Sequence, residues 1–202
     1  MSNQQPDFKE FPKIARLSRN CVITEKIDGT NALVCITEDG GFFTGSRTRW
    51  ITPADDHYGF SKWAHDNKEE LLKLGPGFHF GEWWGGGCQR GYGLPKGEKR
   101  WSLFNTIRWC RHDAEPQRII TNDPRIEKYQ ERLPAFCHLV PELYRGPFTT
   151  EACNAAIWKL EKDGSVAAPN FMKPEGIICY HMASGVSFKK TIEKDEAPKS
   201  IA

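Results

Sequence analysis

No apolar run in this chain approaches the ~18 residues that a membrane-spanning helix needs. The segment Met1–Glu10 is polar and interrupted by Pro6, so it is not patterned as a secretory signal. Charge of one sign is also scarce. The formal net charge is +2, too small to identify a nucleic-acid binder by itself. The seven cysteines are odd in number and include no C-x-x-C pair, which argues against a disulfide framework or a zinc ribbon. Buried free thiols in a reducing compartment fit them better. A zinc site from Cys88, Cys110 and His112 matches no familiar spacing. The glycine-rich stretch Gly85 to Gly93 lacks the Lys-Ser/Thr ending of a P-loop and the helix that should come after it.

What is present reads as many short strands with a few helices. Cys21 to Glu25 and Ala32 to Thr37 are apolar, β-branched runs, and Phe42 to Gly45 comes after the turn Gly40-Gly41. Between the first two lies Lys26-Ile27-Asp28-Gly29-Thr30-Asn31, where Asp-Gly predicts a hairpin turn. Tyr58 to Leu74 has helical spacing, with Phe60, Trp63, Ala64, Leu71 and Leu72 on one side. Further strands are expected at Phe78 to Trp84, Ser102 to Trp109, Phe136 to Val140, Ile177 to Tyr180 and Val186 to Lys190. His112 to Pro124 reads as a loop and Arg125 to Arg132 as a short helix. Thr149 to Leu160 reads as a helix with Thr149 or Thr150 as its N-cap. The charged tail from Glu193 is expected to fray. This pattern predicts an α+β domain of packed antiparallel sheets with flanking helices. Basic clusters at Arg47/Arg49, at Lys96/Lys99/Arg100 and at Arg108/Arg111 could track phosphates.

Lys26-x-Asp28-Gly29 carries little weight alone, because a chain of this length meets such a tetrapeptide by chance about a few per cent of the time. Its weight comes from the ordered segments downstream of it. Thr44-Gly45-Ser46-Arg47-Thr48 is first, then Phe80-Gly81-Glu82-Trp83, then Trp101-Ser102-Leu103-Phe104-Asn105. Pro174-Glu175-Gly176-Ile177-Ile178 and Ser187-Phe188-Lys189-Lys190 close the series. This ordered set resembles the covalent nucleotidyltransferase superfamily, which comprises ATP-dependent ligases and mRNA capping enzymes. Val140 to Phe148 resembles the link before the fourth motif in its RNA ligase branch, which includes phage-type RNA-repair ligases. The resemblance spans about Cys21 to Thr191.

The resemblance implies a nucleotidyltransferase (ATP-grasp-like ligase adenylation) domain over residues 1–192, with no oligonucleotide-binding domain after it. It implies an ATP-dependent RNA ligase that forms a lysyl-AMP intermediate on Lys26. AMP would pass to a 5′-phosphate, and a 3′-hydroxyl would then seal the break. Only a neutral amine is nucleophilic, and lysines ordinarily titrate at about 10.4. Cationic or desolvating groups are therefore expected around Lys26. Lys189 and Lys190 would grip the α-phosphate; the family pattern is Lys-x-Lys, and adjacent strand residues face opposite ways, so Lys189 is favoured. Glu25, Ile27, Asp28, Arg47, Glu82, Phe104 and Glu175 would surround the nucleotide, with Glu82 on the ribose and Phe104 stacked on adenine. Trp83 and Trp101 compete with Phe104 as stackers. Glu175, with Asp28, would hold Mg2+ or Mn2+. The implied partner is RNA, as a nicked duplex or RNA/DNA hybrid, and no membrane. The implied setting is a monomer in the cytoplasm, including that of a phage-infected host. A minimal DNA ligase and a non-catalytic nucleic-acid-binding module of the same fold are the competing readings.

Overall fold

A computed structural model describes residues 7–104, 133–193 and 195. The expected loop His112 to Pro124, the helix Arg125 to Arg132, and Asn105, Arg108, Cys110 and Arg111 lie outside the described residues. So does most of the tail, although Asp195 accepts a hydrogen bond from the Thr191 backbone at 2.8 Å.

Two sheets carry the described residues. The strands are β1 (Asn20–Lys26), β2 (Thr30–Ile36), β3 (Phe42–Gly45), β4 (Trp50–Ile51), β5 (Gly77–Gly85), β6 (Lys99–Leu103), β7 (Cys137–Leu139), β8 (Glu142–Pro147), β9 (Gly176–His181) and β10 (Val186–Thr191). One sheet has the order β10-β9-β1-β8, the other β4-β3-β2-β5-β6-β7. All pairs are antiparallel except β6 with β7, which is parallel. The larger sheet packs its apolar face on the segment 60–74, through Val34, Ile36, Phe60, Ala64, Leu71, Trp83 and Trp101. That segment is helical as expected but broken into α1 (Phe60–Asp66), α2 (Lys68–Leu71) and a 3-10 turn. The break is at Asn67, whose side chain returns to the carbonyl of Trp63 at 2.8 Å, a local bond that competes with the helix ladder. The smaller sheet packs on α3 (Thr150–Asp163) through Cys21, Ile23, Ile157, Leu160 and Ile177. Thr149 caps α3, its side chain accepting from Ala152 N at 3.0 Å.

The predicted hairpin at Asp28-Gly29 does not form. β1 pairs with β8 and β9, whereas β2 pairs with β3 and β5. The segment from Ile27 to Gly29 therefore carries the chain from one sheet to the other. Gly29 is needed for space, not for a turn: a Cβ there would lie 2.7 Å from Trp84 Cβ and closer still to the Trp83 carbonyl oxygen. A third buried cluster of Ile27, Trp84, Tyr92 and Ala168 seals this crossing point. No helix among the described residues is long and apolar enough to cross a membrane.

Candidate active site

Lys26 is the last residue of β1, and its register partner on β9 is Gly176. Glu175 thus sits beside the nucleophile candidate at the end of the neighbouring strand. Its Oε2 lies 2.5 Å from Lys26 Nζ, with the two side chains only 14% and 21% exposed. Gly176 allows this approach: its φ is 155°, and any Cβ added there would collide with the Lys190 carbonyl oxygen. Glu82 reaches the same place from β5 of the other sheet. It accepts from Gly29 N at 3.0 Å. Burial pushes its carboxyl up to about 7, with Glu175 and Asp28 adding to the rise, while the Gly29 amide and Lys26 oppose it. Lys26, Glu175 and Glu82 therefore lie together where the chain crosses between the sheets, with Asp28 near enough to act on Glu82.

Strand parity sorts the remaining candidates. Lys189 opposes Ile178, which opposes Thr24 on β1; Thr24 and Lys26 share a face, so Lys189 lies on the Lys26 face. It is exposed, with no hydrogen bond or ion pair among the described residues. Lys190 points to the other face and donates to Asn154 Oδ1 of α3 at 2.8 Å. Of the two adjacent lysines, the structure thus brings Lys189 and not Lys190 to the Lys26 face. Glu25 faces the α3 side as well. Its buried carboxylate accepts from Ser165 Oγ at 2.5 Å, Val166 N at 2.8 Å and Ala167 N at 3.0 Å. Burial raises this carboxyl above its ordinary range, against the lowering effect of those three donors. Glu25 braces the loop after α3, and its side chain is not offered to a nucleotide. Ile27 is 4% exposed and packs in the sealing cluster.

Phe104 comes directly after β6, and its backbone N donates to Phe80 O at 3.1 Å. Ser102 opposes Glu82, so by alternation Phe104 lies on the Glu82 face of the larger sheet. Trp83 and Trp101 are on the opposite face, buried against Phe60 and Trp63, and are excluded as base stackers. Arg47 is exposed between β3 and β4, with no hydrogen bond or ion pair among the described residues. Asp28 Oδ2 accepts from Arg90 Nε at 3.0 Å, and Asp28 N donates to Tyr92 Oη at 2.8 Å. Arg90 and Tyr92 carry no signal in the sequence: they sit in a glycine-rich loop without periodicity.

Glu175 and Asp28 offer carboxylate oxygens, the donor type a hard divalent cation takes. Among the described residues no group of three or more metal-ligating side chains converges on one point. Mg2+ and similar ions keep several waters and need only one or two carboxylates beside phosphate oxygens, so the two observations agree. Cys88 is buried, its thiol donating to the Trp83 carbonyl at 3.4 Å.

Solved structures include proteins of the same fold. One Naegleria gruberi RNA ligase mutant, solved with AMP and manganese, has 20% identity and a TM-score of 0.58, covering 87% of this chain and 50% of that one. Another, solved with ATP and manganese, has 21% identity and a TM-score of 0.59, covering 88% and 51%. The chain spans about half the length of these structures. No curated protein matches. A family model described as RNA ligase matches residues 19–192, a span that takes in both sheets, α3 and every residue of the Lys26 cluster. By that match, the chain belongs to the RNA ligase family of polynucleotide-joining enzymes.

Proposed function

We propose that this chain is the catalytic part of an ATP-dependent RNA ligase of the RNA-repair kind, with Lys26 as its nucleophile. The observation that carries the reading is the meeting of Lys26 with Glu175 and Glu82 at the crossing between sheets, with Lys189 on the same face. In the first step Lys26 Nζ gives its lone pair to the α-phosphorus of ATP. A P–N bond forms, the bond from that phosphorus to the bridging oxygen breaks, and pyrophosphate leaves with the bonding pair. The amine gives up one proton. The product is lysyl-AMP, which keeps the activation of ATP for a second transfer.

The contact with Glu175 holds the Lys26 side chain in place at the site. Glu175, with Asp28, would hold a divalent cation such as Mg2+ or Mn2+, which would supply positive charge to the phosphate oxygens. Lys189 meets the charge developing on the α-phosphate. Glu82 binds a ribose hydroxyl, Phe104 offers a flat face to the base, and exposed Arg47 contacts the polynucleotide. AMP next moves from Lys26 to an RNA 5′-phosphate, and a 3′-hydroxyl attacks that phosphate and expels AMP. The reading takes the protein as a cytoplasmic monomer.

The test is incubation of the protein with α-labelled ATP or GTP and a divalent metal, followed by denaturing separation. Label from ATP is expected. Label from GTP alone would point to a capping chemistry, and none from either would leave a non-catalytic module of the same fold. Sealing of nicked RNA in preference to nicked DNA separates the RNA ligase reading from a DNA ligase.

A further inference from the structure

The glycine-rich loop between β5 and β6 reaches back to the nucleophile motif. Arg90 donates from Nε to Asp28 Oδ2 at 3.0 Å and from a terminal nitrogen to the Lys173 carbonyl at 3.1 Å. One guanidinium thus joins the residue two after Lys26 to the residue two before Glu175. Tyr92 of the same loop accepts the Asp28 amide at 2.8 Å, and Glu82 accepts the next amide, Gly29 N, at 3.0 Å. Tyr92 is itself 2% exposed and packed on Ile27, Trp84 and Ala168, so the loop is a rigid anchor at this point.

The pair is more buried than an ion pair on the open surface such as Lys62 with Asp66. Arg90 and Asp28 side chains are 29% and 28% exposed, whereas Lys62 and Asp66 are 69% and 59% exposed. A planar guanidinium has donors in fixed directions and satisfies two acceptors at once; a lysine ammonium cannot span both in the same way. Lys26 and Glu175 sit where the paired strands β1 and β9 end, and Arg90 bonds to the chain that runs on beyond each of them, at Asp28 and Lys173.

We infer that Arg90 is a positioning residue for nucleotidyl transfer: it fixes the Lys26 segment against the Glu175 segment and so sets the line of attack. The inference rests on the proposed chemistry at Lys26. Its physical basis is that displacement of a reacting group by about 1 Å costs on the order of 10²-fold in rate, while ATP binding does not depend on that alignment.

Single-turnover transfer of labelled AMP to the whole chain tests it, with Arg90→Ala, Arg90→Gln and Arg90→Lys beside wild type and Lys26→Ala. Arg90→Ala is expected to lower the maximal rate about 10- to 100-fold and to leave the half-saturating ATP concentration within about twofold. Arg90→Lys is expected to recover part of the rate. Thermal melting checks folding, and Arg90→Gln, which keeps bulk and one donor group, serves where the alanine variant does not fold. A folded Arg90 variant with the wild-type maximal rate would overturn the inference. So would a loss seen only in ATP half-saturation, or Arg90→Lys no faster than Arg90→Ala. If wild type itself takes no label, the proposed chemistry falls, and Arg90 with it. If wild type labels at Lys26 and Arg90 proves indifferent, only the Arg90 role falls.

Discussion

Two pairs of neighbouring residues behave oppositely because of where they lie on a strand. Lys26 faces the carboxylate cluster while Glu25 faces the loop after α3. Lys189 shares the Lys26 face while Lys190 is bound to Asn154. Lys189→Ala should therefore slow adenylylation by on the order of 10²-fold, the scale of losing one preorganised charge contact. Lys190→Ala should change it by less than about threefold, since one partly exposed hydrogen bond is worth about 0.5–1.5 kcal/mol of stability. Single-turnover rates of the two variants check this, and a larger loss at Lys190 would reverse the face assignment. Glu82 gives a second prediction at the same scale. Its carboxyl rises from 4.5 to about 7 on folding, chiefly through burial. Between those values the folded protein binds more protons at Glu82 than the unfolded chain does. Stability from this residue is thus present at low pH and lost as pH rises through the window. Denaturation midpoints of wild type and Glu82→Gln across this range should converge on the acid side and separate towards neutrality, with wild type the weaker. Parallel curves would show that burial does not act on Glu82 in this way.

Among the elements, the crossing from β1 to β2 departs most from what the sequence suggests. Asp28-Gly29 between two β-branched runs has the composition of a hairpin turn. Composition reports local turn preference and says nothing of which strand lies alongside. Here β1 lies between β8 and β9, and β2 lies between β3 and β5, so every partner but β3 is distant in sequence. Gly29 is fixed by the wall of Trp83 and Trp84. Gly29→Ala should therefore cost stability of roughly 1–3 kcal/mol, the usual range for overpacking a tight site, read from chemical denaturation; a neutral effect would mean that the wall yields. Strands with a clear β-branched or aromatic run are legible in the sequence, β1, β2, β3 and β5 among them. β8 reads there only as a link between motifs, since Glu142–Pro147 contains Gly146 and Pro147 and is half-buried without alternation. The two-residue β4 is too short to leave a pattern. α3 is legible from its cap and apolar spacing, but Asn67, which divides the segment 60–74, forms a local side-chain bond that residue spacing does not reveal.

At the scale of the whole molecule, the order of short motifs carries the reading further than any element does. Lys26, Glu82 and Glu175 come from β1, β5 and the start of β9, in two different sheets. No periodicity could bring them together, yet all three lie within residues 19–192, the span that the RNA ligase family model matches. The parts that stay hidden are those set by long-range contact. They include the bracing role of Glu25, the packing of Trp83 and Trp101 in the core, and the link from Arg90 to both Asp28 and Lys173. The site thus depends on both sheets being assembled, and Lys26 cannot be studied apart from them. The central claim is that Lys26 becomes covalently bonded to AMP. It is tested most directly by incubating the chain with ATP and Mg2+ and locating the adduct by peptide mass mapping. The account predicts one AMP group per chain, on Lys26, and none on the Lys26→Ala protein. An adduct on another residue, or unmodified Lys26 in folded protein, would contradict it.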